Sequence, residues 1–299
     1  MLTWLAIYSA AIMLVSLLGG QLPLLGKVPH SRLQFYLSAS AGVMLGAAFF
    51  HVMPDAMKLA GDSFGWWMAL GVVGLFSIER FIAPHTHEIE SKLQANHEHE
   101  PGCEHDHAHR AAPAVAGWMA VLGLTIHTFM NGVGLAGAVQ IDTSPGAKPG
   151  LESALPGFAL FLAIALHKPA DALAISTVLF RKGVSRRQVG LVQLGFAAMI
   201  PLGAGAFCLF HDLVKEGTQS YVTGAALAFS AGTFLFVALS DLLPEVQFHR
   251  HDRVPLFLSL VLGVALMGGI ALLEELGHEE SSNGDKTHAG EVDKADSDH

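Results

Sequence analysis

Residues 155–179 read LPGFALFLAIALHKPADALAISTVL, twenty-five residues in which His167, Lys168 and Asp171 are the only ionisable groups. An apolar run of about 20 residues matches the hydrocarbon thickness of a bilayer when helical. Ionisable groups at that depth are costly and mark a pathway or a site. His167 and Asp171 stand four apart, so a helix places them one above the other on one face. The stretch therefore predicts a membrane-spanning helix built around chemistry.

The same pattern recurs upstream. Thr125–Gly132 reads TIHTFMNG within an apolar run, and pairs His127 with Asn131 at the same spacing. Imidazole nitrogen, carboxylate oxygen and carboxamide oxygen are all ligands for a divalent transition metal. A third pair, His51 with Asp55, closes another apolar run. Interhelical hydrogen bonding is the alternative use of such groups, at about 0.6–2 kcal/mol per contact. Three pairs in one bundle favour a metal site.

Composition agrees over the 299 residues: 52% are hydrophobic and 14% charged. Apolar runs predict eight spans, near 2–25, 33–57, 64–83, 112–138, 155–179, 188–211, 221–244 and 255–274. They do not alternate as barrel strands would, and open sheets cannot span lipid. The expected class is an all-α integral membrane protein, an eight-helix bundle. Met1-Leu2-Thr3-Trp4 leads straight into apolar sequence, so the first span is expected to be retained. Cys103 and Cys208 fall in a polar loop and a span, which makes a disulfide between them unexpected. The net charge of −9 comes largely from the acidic tail and argues against nucleic acid.

Lysines and arginines orient the bundle. Lys27, Arg32, Arg80, Lys92, Arg110, Arg181, Lys182, Arg186, Arg187, Arg250 and Arg253 fall in the loops after odd-numbered spans. Lys58, Lys148, Lys215, Lys286 and Lys294 fall on the other side. Both termini are then outside, consistent with a plasma or bacterial inner membrane. Four parts result: spans 1–3 at 1–83, a cytoplasmic loop at 84–111, spans 4–8 at 112–276, and an outer tail at 277–299. The loop interleaves His85, His87, His97, His99, His105, His107 and His109 with Glu98, Glu100, Glu104 and Asp106. Such composition predicts disorder; a metal buffer or sensor and a solvated linker are both open. The tail after Gly277 is likewise expected to be disordered.

Two features bear on mechanism. Span 2 ends His51-Val52-Met53-Pro54-Asp55 and span 7 ends Asp241-Leu242-Leu243-Pro244-Glu245. The spans run in opposite directions under the charge-based topology, as an inverted repeat in an alternating-access carrier requires. Asp55 would guard the outer mouth and Glu245 the inner one, with Asp241 on the path. Lys168 needs a partner, since an unpaired cation there costs at least about 3 kcal/mol, and Asp171 is within reach. Its ammonium would fill the place of a second cation and leave one metal site; a lysine snorkelling from a shifted span is the alternative. Pro169 should kink span 5 and free a carbonyl. Gly42, Gly46, Gly203, Gly205, Gly224 and Gly232 would let helices approach closely.

With these residues in view, the chain resembles the ZIP family of divalent-metal transporters. The matching segments are His51–Ala56, His127–Gly132, His167–Ala172, Pro201–Ala204 and, most specifically, AGTFLFVALSDLLPE at Ala231–Glu245. The resemblance implies inverted three-helix repeats, spans 1–3 and 6–8, around spans 4 and 5. It also implies uptake of Zn²⁺ or a related cation and, usually, a homodimer. The family pattern has Asn and an acid where this chain has Thr128 and Asn131. It has an acid where this chain has Lys168, and many bacterial members have one at Ile200. These departures fall on the second site of the family's binuclear centre.

The reading is thus a carrier of Zn²⁺, with Fe²⁺, Mn²⁺, Ni²⁺ and Cd²⁺ open, using His127, Asn131, His167, Asp171 and His51. No cofactor is expected; the partners are the lipid bilayer and the metal. A cation efflux protein is disfavoured by eight spans without a folded C-terminal domain. An intramembrane metalloenzyme is disfavoured by the lack of H-E-x-x-H and of a general-base Glu near His127. A metal sensor or non-transporting member stays open.

Overall fold

The computed structural model describes residues 1–25, 30–82, 114–144, 154–242 and 253–295, with side chains described for 1–23, 33–79, 121–144, 154–180, 182–240 and 253–276. All regular structure among them is helical. The helices are α1 (Leu2–Leu25), α2 (His30–Ala47), α3 (Met53–Ala60), α4 (Phe64–Ile82), α5 (Ala114–Asp142), α6 (Phe158–Arg181), α7 (Arg186–Leu213), α8 (Glu216–Val237) and α9 (Arg253–Ala295). In lipid a helix satisfies its own backbone groups, so apolar runs without strand alternation adopt nothing else.

Seven stretches of the described residues are long and apolar enough to cross a membrane, not the expected eight. The difference lies in Leu33–Glu79, which runs 47 residues without a loop. Expected spans 2 and 3 are joined by helix rather than by coil: α3 passes through a 3₁₀ turn, Gly61–Ser63, into α4. Gly61 takes φ 54°, which a residue without Cβ adopts at no steric cost. Gly224 of α8 packs on Leu59 and Ala60, whereas Gly232 farther along packs on Met68 and Gly71. Phe236 meets the Phe76 ring at 6.3 Å.

Helices associate in pairs: α1 with α6, α5 with α7, α2 with α9, and α4 with α8. Glycines sit where backbones meet. A Cβ at Gly42 would collide with the Leu260 carbonyl, one at Gly232 with that of Met68, and one at Gly203 with that of Phe129. Gly205 has open space and makes no such contact.

Two departures from helicity share a register. A π-helical turn spans Ala48–Val52 and another Ala238–Leu242, each ending two residues before a proline, Pro54 and Pro244. Proline cannot donate to the carbonyl four residues back and crowds it, so the helix loosens there. Pro169 behaves otherwise. Helix α6 stays helical across it, and Gly19 of α1 receives the ring.

Ser185 and Gln188 form a capping box at the start of α7, and Gly183 at φ 72° closes the turn from α6. At the far end α9 does not stop near 276. It is helical to Ala295, where composition led to an expectation of disorder. Extending a nucleated helix costs far less than starting one. The His-rich loop at 84–111 lies outside the described residues. Large apolar side chains such as Leu14, Trp66, Leu202 and Leu262 point outward, as lipid contact requires.

Candidate metal centre

Helices α5 and α6 bring the two histidine pairs face to face. His127, Thr128 and Asn131 come from one, His167, Lys168 and Asp171 from the other, and all six are buried. One donor atom each from His127, His167 and Asp171 lies within 4.8 Å of the others. The imidazole centroids are 5.9 Å apart.

A backbone carbonyl aims His167. Its Nδ1 lies 2.8 Å from the Ala163 oxygen, the i−4 carbonyl of α6. Nδ1 therefore carries the proton and donates, leaving the Nε2 lone pair turned into the site. Nε2 stands 3.9 Å from Asp171 Oδ2. The Asn131 carboxamide takes the orientation in which its nitrogen donates to the His127 carbonyl at 3.1 Å. Its oxygen then faces Lys168 Nζ at 3.1 Å, His127 Nε2 at 3.2 Å and His167 Nε2 at 3.3 Å. Ligands at about 2.1 Å from a tetrahedral ion are about 3.4 Å apart, so these separations suit a shared cation. Two further atoms, His127 Nδ1 and Asp171 Oδ1, are buried without a hydrogen-bond partner. Buried polar atoms are seldom left so, and each such case calls for an explanation.

Lys168 occupies the adjoining volume. Its ammonium donates to Thr128 Oγ1 at 2.7 Å and to Asp171 Oδ2 at 2.9 Å, and lies 4.9 Å from the Phe196 ring centroid. It does not snorkel; it is one of the largest fully buried side chains.

His51 does not join this group. Its Nε2 is 3.1 Å from the Met267 oxygen and its Nδ1 is 3.3 Å from Glu274 Oε2, both on α9. Asp55 pairs with Lys58 at 2.9 Å near the surface. Asp241 lies in the second π turn, its side chain outside the described residues, and Glu245 lies outside them altogether.

Sequence reasoning missed Phe234. Its ring meets His127 edge-on at 5.4 Å and His167 at 5.5 Å, walling the site from α8. It sits inside the Ala231–Glu245 segment, but an apolar residue in an apolar run carries no local signal. Glu274 was missed for a related reason: it stands at the polar end of the last span, beside Glu275.

Comparison with known proteins agrees with the architecture. The family model for the ZIP zinc transporter matches residues 1–110 and 83–271. Zinc transporter ZIP9 of Micropogonias undulatus is 26% identical over 311 residues, covering 91% of this chain and 97% of that protein. Zinc transporter ZIP9-A of Xenopus laevis is 25% identical, with 84% and 87% covered. Zinc transporter 3 of Arabidopsis thaliana is 23% identical, with 87% and 81% covered. With several membrane-length helices and a family match over most of its length, this chain is an integral membrane protein of the ZIP zinc transporter family.

Proposed function

We propose that the protein carries a divalent transition-metal cation, Zn²⁺ foremost, into the cytoplasm through a single mid-membrane site. His127, Asn131, His167 and Asp171 hold the ion, and Lys168 stands where a second cation would bind. The observation that carries this reading is the three-residue donor group of His127, His167 and Asp171, wholly buried inside an apolar bundle. The named relatives are zinc transporters, which supports Zn²⁺ as the substrate. Family membership also sets aside the metalloenzyme: this is a family of transporters.

Eight spans and an inverted repeat complete the proposal, with Leu33–Glu79 counted as two spans folded at Gly61. Exchanging spans 1–3 for 6–8 and span 4 for 5 turns the α2–α9 pair into α8–α4, and α1–α6 into α7–α5. Both members of each exchange occur as packing pairs. Gly42 precedes His51 at the same spacing as Gly232 precedes Asp241, and a π turn lies at each position. Both termini then face outside, in a plasma membrane, and the family's usual dimer is the expected assembly. A dication moving inward gains about 4.6 kcal/mol per 100 mV of inside-negative potential, which favours uptake over efflux.

The test is ⁶⁵Zn uptake into proteoliposomes under an imposed potential, with Fe²⁺, Mn²⁺, Ni²⁺ and Cd²⁺ as competitors. His167→Ala and Asp171→Asn should each abolish uptake. Wild-type rates in either variant would overturn the site.

A further inference from the structure

A second cluster of donors lines a cavity where the first π turn runs into α3, beside the end of α5, the start of α6 and Glu274 of α9. His51, Asp55, Asp142 and Glu274 all face it. The cavity measures about 40 Å³, room for an ion with a water or two. Asp142 is held in place by the Gly157 amide, which donates to its Oδ2 at 2.7 Å.

His51 is built like His167. Its Nε2 lies 3.1 Å from the Met267 carbonyl oxygen, so Nε2 carries the proton and donates. Nδ1 is then a lone pair, and it faces Glu274 Oε2 at 3.3 Å. Two acceptors opposed at that distance need something positive between them. Ligands at about 2.1 Å on a tetrahedral ion stand about 3.4 Å apart, so one divalent cation satisfies both. The side chains of His51 and Glu274 are each 10% exposed, open enough for an ion to reach from outside.

The cavity also lies directly above the central site. It is lined by Ala138 and Leu160, two turns from Asn131 on α5 and two turns from His167 on α6. Residues seven apart share a helix face, and the rise over that spacing is about 10 Å.

We infer that His51 and Glu274, with Asp55 and Asp142 beside them, form an outer capture site for the transported divalent cation, separate from the central site. It takes the ion from outside and holds it one step above His167. This deepens the carrier reading and rests on it for direction, but binding itself can be tested apart from transport.

The test is equilibrium dialysis of ⁶⁵Zn against the full chain in nanodiscs, paired with uptake kinetics. Wild type should bind two ions, Glu274→Gln one, the His167→Ala/Asp171→Asn double variant one, and the combination none. In uptake, Glu274→Gln and His51→Gln should raise KM about tenfold or more, with Vmax changed less than about twofold. Cadmium-113 resonances of the wild type need no variant, and two at saturation are expected. One ion retained after Glu274→Gln and His51→Gln in the double-variant background would overturn the outer site. So would a single cadmium resonance, which would make His51–Glu274 an ordinary ion pair of a doubly protonated ring. Loss of the outer ion alone would leave the central site standing, and an ion lost with Glu274 but not with His167 and Asp171 would refute the central one.

Discussion

Lys168 and Asp171 form a buried ion pair within one turn of α6, with Nζ 2.9 Å from Oδ2. The oxygen that receives the ammonium is also the one nearest His167 Nε2, at 3.9 Å. The carboxylate is therefore divided between a fixed cation and the donor group, and its other oxygen is unpartnered. At the proposed site, a metal ion entering among His127, Asn131 and His167 would meet a carboxylate already half neutralised.

Asp171→Asn strands the Lys168 charge in the core. Breaking a buried pair by removing one partner costs about 3–5 kcal/mol, so the variant should show a clearly lowered thermal transition in detergent. Adding Lys168→Gln should recover most of that stability without restoring Zn²⁺ uptake. A double variant no more stable than Asp171→Asn would mean that the two charges do not hold each other.

Lys168→Asp replaces the fixed cation by a carboxylate beside Thr128, Asn131 and Asp171. The expected outcome is one additional bound ion per chain, read by dialysis in a Glu274→Gln background. Stability of the metal-free protein should fall, since two carboxylates then face each other without a counter-charge. Unchanged stoichiometry would show that the ammonium does not stand in for a cation.

Phe234→Ala removes the ring that backs both imidazoles. Deleting a buried Phe side chain costs about 3–5 kcal/mol, and the freed histidines should lose Zn²⁺ affinity. Phe234→Leu keeps most of the volume, so it should fold nearly normally yet still show a raised KM for uptake. Leucine kinetics indistinguishable from wild type would reduce Phe234 to packing alone.

The apolar runs and the four-residue spacings made the helices and the central pairs legible in the sequence, because both follow from local geometry. His127, Asn131, His167 and Asp171 needed only the rule that such residues share a face. His51 obeyed the same rule with Asp55, yet its ring reaches Glu274 on another helix. Spacing along one helix says nothing about the partner across from it. The seam between expected spans 2 and 3, set at 58–63 by the apolar runs, holds the Gly61–Ser63 turn, but the connection is helical rather than coil. Met53–Ala60 has helix-forming composition, and only the φ of Gly61 ends it. The π turns follow from proline chemistry, but the sequence alone does not distinguish Pro54 from Pro169, where α6 stays helical.

Gly42 and Gly232 test the repeat itself. Each sits where a Cβ would strike a carbonyl of the paired helix, Leu260 for one and Met68 for the other. Backbone cannot yield as a flexible side chain does, so Gly42→Ala and Gly232→Ala should each destabilise by about 1–3 kcal/mol. Gly195 lies within α7 with nothing within 4 Å. Alanine there should instead raise stability, by up to about 1 kcal/mol, through helix propensity. If the two three-helix units are related by symmetry, the first two variants should also lower uptake to a similar degree, because each loosens the same joint in its own repeat. A Gly42→Ala protein as stable as Gly195→Ala would show that α2 and α9 have room to part. A loss of uptake confined to one of the pair would break the equivalence on which the alternating-access reading rests.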